Sequence, residues 1–187
     1  MGTVVKVGSL FSGYGGLDLA VLEEFPGSTL AWHCENDEAP SAILSYHWPD
    51  VPNLGDIRKV NWEEVEKVDI VVGGSPCQDL SAAGRKAGMS EGTRSNLWVN
   101  MREAVEILKP KYVFWENVRG VRSAKATSES DLEQGDGSMG NLRALGRVLG
   151  DLTEIGYDAQ WETVRASDVL APHSRERVFV LATYANE

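Results

Sequence analysis

Two apolar patterns take turns along this chain. Short apolar runs bounded by glycine, proline or acidic residues predict strands from Val4 to Phe11, Thr29 to Cys34, Asp69 to Gly73, Lys111 to Trp115, Asp158 to Val164 and Val178 to Thr183. Between them, helical spacing predicts helices opening at Leu17, running from Glu38 to Tyr46, from Asn96 to Leu108, and from Asn141 to Ile155. Pro110 and Gly156 supply the stops for the last two. A shorter segment near Asp56 and Ile57 reads as one more strand. This alternation predicts an α/β fold with a mostly parallel, twisted sheet and helices on both faces. Ala124 to Gly140 breaks the rhythm. It is rich in Ser, Glu, Asp and Gly, has few apolar anchors, and reads as a flexible solvated loop.

Composition narrows the picture. With 187 residues, 42% of them hydrophobic, the chain can bury one core, and a single domain over residues 1–187 is expected. No apolar run is long enough for a bilayer span, and Met1 to Lys6 lacks a signal-peptide pattern, so no membrane is expected. Two cysteines fit a reducing, cytoplasmic setting. His33, His47 and His173 are scattered without ligand spacing, so no metal is expected. The formal net charge of −10 sits poorly with a phosphate-gripping surface, which rests on clustered Lys and Arg. Basic runs exist at Gly84 to Gly88 and at Arg175-Glu176-Arg177, but the main surface for nucleic acid is expected elsewhere.

The candidate chemistry collects at the strand ends. The run Asp69 to Ser75 stops at two glycines and leads into Pro76-Cys77-Gln78. In an open α/β sheet the carboxyl end of a strand is where catalytic groups are displayed. A free cysteine there reads equally as a nucleophile or as a small buried filler. The first strand runs into Gly13-Tyr14-Gly15-Gly16, which lets the backbone turn sharply and approach a ligand. Its spacing differs from the dinucleotide pattern, and a plain tight turn explains it nearly as well. Glu35 ends the second strand, where a carboxylate can accept from ribose hydroxyls, and Asp56 could take an amino group of a base. Either acid alone reads as a cap or a solvated turn; both beside a glycine turn read as a nucleoside site.

Four ordered runs then carry a resemblance. Ser9 to Leu17, Gly74-Ser75-Pro76-Cys77-Gln78, Trp115-Glu116-Asn117-Val118 and Arg175-Glu176-Arg177-Val178-Phe179 together resemble the DNA cytosine-5 methyltransferase family, over about Lys6 to Ala182. The resemblance implies a Rossmann-like, S-adenosylmethionine-dependent fold. It implies that Phe11 lies near the adenine and that Gly13, Gly15, Gly16 and Leu17 approach the methionine portion. It places Glu35, with Asn36 beside it, on the ribose. Asp56 and Ile57 would frame the adenine, and Pro76 and Leu97 would line the pocket. Ser81 to Arg94 corresponds to a loop that closes over flipped DNA, with Ser81, Arg85, Lys86 and Arg94 facing it.

The implied chemistry needs no metal. A Cys77 thiolate adds to C6 of cytosine and makes C5 nucleophilic. Glu116 sits against N3 and the amine, and Arg177 donates to O2 with Arg175 in support. The base must leave the duplex to reach Cys77. Complete family members carry a target-recognition domain and a last helix, neither of which is found in this sequence, and His173 stands where glutamine is common. The expectation is therefore the catalytic part of a DNA methyltransferase, of the kind found in restriction-modification systems. Recognition would then come from a second polypeptide. A catalytically silent homologue acting through protein contacts, and an RNA cytosine-5 methyltransferase, are the alternatives.

Overall fold

The computed structural model describes residues 4–76, 97–124 and 143–185. Its strands are β1 (Lys6–Leu10), β2 (Thr29–Cys34), β3 (Ile70–Gly73), β4 (Tyr112–Val118), β5 (Tyr157–Arg165) and β6 (Glu176–Tyr184). Its helices are α1 (Gly16–Glu24), α2 (Glu38–His47), α3 (Leu97–Leu108) and α4 (Ala144–Glu154). The strands form one sheet in the order β2-β1-β3-β4-β6-β5. The first four run parallel, and β6 runs antiparallel between β4 and β5.

Burial follows the sequence pattern. Ile70, Val71 and Val72 of β3 are fully buried, as expected for a central strand covered on both faces. On one face Val7, Ile70 and Val72 pack with Val21 of α1. The other face carries the larger core, where Val71, Val113, Trp115 and Val180 meet Trp98, Met101 and Val105 of α3. Leu145, Val148 and Leu152 of α4 complete it at the spacing that keeps one helical stripe inward. Helices thus cover both faces of a mostly parallel sheet.

Asp56 and Ile57 do not form the expected strand. The Asp56 carboxylate accepts from the Arg58 N–H at 3.1 Å and caps a 3₁₀ turn over Ile57–Lys59. A side chain that bonds its own backbone locally competes with strand pairing. The extended pairing in this region is a single bridge between His33 and Asn53. β4 continues past Trp115 to Val118, because Glu116, Asn117 and Val118 pair with Phe179, Val178 and Arg177 of β6. Of the expected Ala124–Gly140 loop, Ala124 is described and its carbonyl accepts from the Ala144 N–H at 2.9 Å. The remainder lies outside the described residues.

Candidate active site

A cavity of about 610 Å³ opens where β1, β2 and β3 end. Seven residues singled out from the sequence line it: Phe11, Glu35, Asn36, Asp56, Ile57, Pro76 and Leu97. Cys34, Asp37, Gly55, Arg58 and Gly74 line it as well, and sequence reasoning missed them. Asp37 and Arg58 sat within two residues of acids already chosen, which was the available signal. The volume suits a nucleoside-sized ligand. Three carboxylates against one guanidinium favour a ligand that carries positive charge.

The glycine turn sits beside this cavity and is tied to it through Glu35. Glu35 Oε2 accepts from the Gly13 N–H and Oε1 from the Asp37 N–H, each at 2.9 Å. Each carboxylate oxygen has a second lone pair, so hydroxyls of a bound ligand can still donate to Glu35. Gly15 starts α1 at φ 79, and a Cβ there would lie 2.7 Å from the Trp48 ring. Below the turn, Ser9 Oγ donates to Asp18 Oδ1 at 2.6 Å, and Asp18 Oδ2 faces His33 Nε2 at 3.5 Å. All three side chains are buried, which fastens α1 to β1 and β2 under the turn.

Asp56, its partner Arg58 and Cys34, all in the lining, have shifted acidity, Arg58 raised by the Asp56 carboxylate. The Arg58 guanidinium donates to Asp56 at 2.9 and 2.7 Å and, with the Arg58 N–H, pushes the Asp56 carboxyl down to about 2. Asp56 is therefore a fixed acceptor at neutral pH. Burial, then the charges of Glu35 and Asp56, pushes the Cys34 thiol up to about 12. Cys34 stays protonated and donates to the Gly55 carbonyl at 3.2 Å. Cys34 therefore offers no thiolate near neutral pH.

The second part of the site lies where β3 and β4 end and β6 begins. Glu116 Oε1 is 2.6 Å from Arg177 Nε. The antiparallel register places Arg177 across from Val118 and so brings this pair together. A Cβ on Gly74 would stand 3.0 Å from Glu116 Oε2, so glycine lets the carboxylate lie against the β3 exit. Asn117 Nδ2 donates to the Ser75 carbonyl at 3.2 Å, and Trp115 Nε1 donates to Ser75 Oγ at 3.0 Å. Both contacts are buried, and they hold Ser75, which stands two positions before Cys77 in the sequence. Arg175 is exposed, and its carbonyl accepts from the Ala166 N–H at 2.8 Å. Cys77, Ser81, Arg85, Lys86 and Arg94 lie outside the described residues. No helix among the described residues is long and apolar enough to cross a membrane.

Comparison with known proteins gives this geometry a context. The type II methyltransferase M2.BsuMI of Bacillus subtilis is 34% identical over 183 residues, covering 96% of this chain and 42% of its own length. The orphan methyltransferase M.SPRI of Bacillus phage SPR is 30% identical over 179 residues, covering 95% of this chain and 37% of its own. The chain thus spans less than half the length of these curated relatives. Among solved structures, the Entamoeba histolytica methyltransferase EhMeth superposes with a TM-score of 0.76 at 18% identity, covering 98% of this chain and 54% of its own, which shows the shared fold. The model of the C-5 cytosine-specific DNA methylase family matches residues 5–187, and the chain belongs to that family.

Proposed function

We propose that this chain is the catalytic part of a DNA cytosine-5 methyltransferase. It would act on a flipped-out cytosine through a covalent adduct at Cys77, with target recognition supplied by a second polypeptide. The observation that carries the reading is the Glu116–Arg177 pair, held at 2.6 Å with Glu116 against Gly74, three positions before Cys77 in the sequence. S-adenosylmethionine, when bound, supplies the methyl group. Phe11, Glu35, Asp56 and Leu97 would hold its adenosine, and the acidic lining suits its positive sulfonium.

The protein groups supply the rest. The Cys77 thiolate forms a bond to C6 of the ring, and the electron pair of the C5–C6 double bond moves toward C5. Glu116 accepts from the exocyclic amine and shares a proton with N3 as charge develops there. Arg177 faces O2 and keeps Glu116 oriented. After the methyl is in place, loss of the C5 proton returns an electron pair to the ring and expels the thiolate. The acidic net charge of −10 supports a division of labour in which another polypeptide grips most of the phosphate.

The test is transfer of labelled methyl from S-adenosylmethionine to unmethylated duplex DNA, with and without the neighbouring gene's product and with Cys77→Ala as control. Label on cytosine C5 that needs the second polypeptide supports the full reading. Label with this chain alone removes the second polypeptide from it. A folded chain that labels RNA and not DNA, or labels nothing, refutes it.

A further inference from the structure

The loop between β5 and β6 presents an apolar tip that the chemistry above does not use. Val169 and Leu170 are 70% and 95% exposed. Leu170 is also held at φ 67 and ψ 12, a left-handed conformation that glycine adopts freely and leucine does not. An exposed leucine in a strained conformation gains nothing for the fold from its side chain. Strained residues of this kind collect at sites of function.

The tip is held rigidly. The Ala166 N–H donates to the Arg175 carbonyl at 2.8 Å and closes the neck of the loop. Within it, the Leu170 N–H donates to the Ser167 carbonyl at 3.2 Å and the Ala171 N–H to the Ala166 carbonyl at 3.0 Å. The one acid of the loop, Asp168, is turned back to accept from the Arg165 N–H at 2.9 Å.

Arginines surround it. Arg165 and Arg175 flank the neck, and both are exposed. Arg119 and Arg122 sit on the 3₁₀ turn Arg119–Arg122 that follows β4, alongside the start of β6. Arg119 reaches Glu176 at 3.2 Å, and Arg122 lies over the Trp161 ring at 5.5 Å. In a chain of net charge −10, this edge is a basic exception. It is also the edge that carries Glu116 and Arg177, since Val164 pairs with Arg177 and Arg165 with Glu176.

We infer that the Val169–Leu170 tip is a wedge that packs against duplex DNA beside the flipped cytosine, with Arg119, Arg122 and Arg165 on the flanking phosphates. This rests on the DNA reading of the site. Basic side chains around an exposed apolar point match a polyanion whose interior is apolar, which is what a duplex offers once a base has left the stack. Apolar side chains inserted at base steps prop such openings, and arginines around them supply the phosphate grip.

Leu170→Gly separates this role from a structural one, because the backbone there already suits glycine. The variant is expected to melt at the same or a higher temperature than the parent. Its affinity for a fluorescein-labelled duplex, read by anisotropy, is expected to fall about tenfold, as loss of a buried leucine contact implies. The slope of log affinity against log salt should stay unchanged. Arg165→Gln should instead lower that slope by about one, the signature of a lost phosphate contact. Leu170→Met should retain parental affinity. Parental duplex affinity in Leu170→Gly overturns the wedge and leaves the DNA reading intact, including if that variant loses only binding of a second polypeptide. If the parent chain, alone or with the second polypeptide, binds no duplex, the DNA reading falls and the wedge with it.

Discussion

Replacing Asn117 by alanine probes how the chain before Cys77 is held. Asn117 is 2% exposed. Its Nδ2 donates to the Ser75 carbonyl at 3.2 Å and its Oδ1 accepts from the Val118 N–H at 2.8 Å. Alanine removes both and leaves a buried carbonyl and a part-buried N–H without these partners, with Trp115 Nε1 on Ser75 Oγ as the remaining tie. A neutral hydrogen bond contributes about 1 kcal/mol net, and a buried group left unsatisfied costs about 1–3 kcal/mol. Two such groups, partly relaxed, give an expected loss of about 2–4 kcal/mol. A domain of this size holds about 5–15 kcal/mol, so the variant should still fold at low temperature. Urea unfolding followed by tryptophan fluorescence gives the loss directly. Asn117→Asp should be at least as destabilising, because it turns the donor facing Ser75 into a charged acceptor. A loss below about 0.5 kcal/mol with unchanged slope would place Asn117 among ordinary surface positions and refute the reasoning. Reduced methyl transfer at a temperature where the variant is fully folded would show positioning as well as stability.

Three further outcomes are expected. Gly15→Ala meets both φ 79 and the Trp48 ring, so it should lower stability by more than about 1 kcal/mol and weaken binding of S-adenosylhomocysteine in calorimetry. Gly16→Ala, where an added Cβ meets nothing of the protein within 4 Å, should change stability little. Cys34 should resist iodoacetamide at pH 8 in the native chain and react once unfolded, read by peptide mass. Its thiol is raised from 9.0 to about 12, so its contribution to stability is complete below pH 9 and is lost as pH climbs toward 12. Asp56, lowered from 3.8 to about 2, contributes above pH 3.8 and loses that contribution as pH falls toward 2. The acid limb of a urea-stability profile should therefore shrink in Asp56→Asn, while an unchanged acid limb would contradict the Asp56–Arg58 assignment.

Parts of this were legible without coordinates, and the reasons are local. Ile70-Val71-Val72 announces a strand buried on both faces by apolar content alone. Glu35 was readable because a strand period ended there beside a glycine turn. Asp56 lines the cavity, but on a different element from the one expected: its short side chain caps a 3₁₀ turn, and strand periodicity carries no sign of that. Arg58 was missed for the same reason, since its role is fixed by two bonds to a neighbour. The Ser75–Trp115–Asn117 bonds join distant segments through sheet packing, which no spacing encodes. The Glu116–Arg177 pair depends on the antiparallel register of β4 and β6, so motif reading named both residues without showing that they meet. The strain at Leu170 is a backbone angle and has no sequence signature at a leucine.

The central claim is most directly tested by trapping the adduct. Duplex DNA carrying 5-fluorocytosine in place of cytosine should hold the enzyme covalently, because fluorine at C5 cannot leave as a proton and the thiolate cannot be expelled. With S-adenosylmethionine and, where needed, the second polypeptide, a denaturation-resistant complex is expected, with the cross-link on the Cys77 peptide and none in Cys77→Ala. A complex that maps to another residue, or methyl transfer to cytosine C5 with no trapped species, would contradict it.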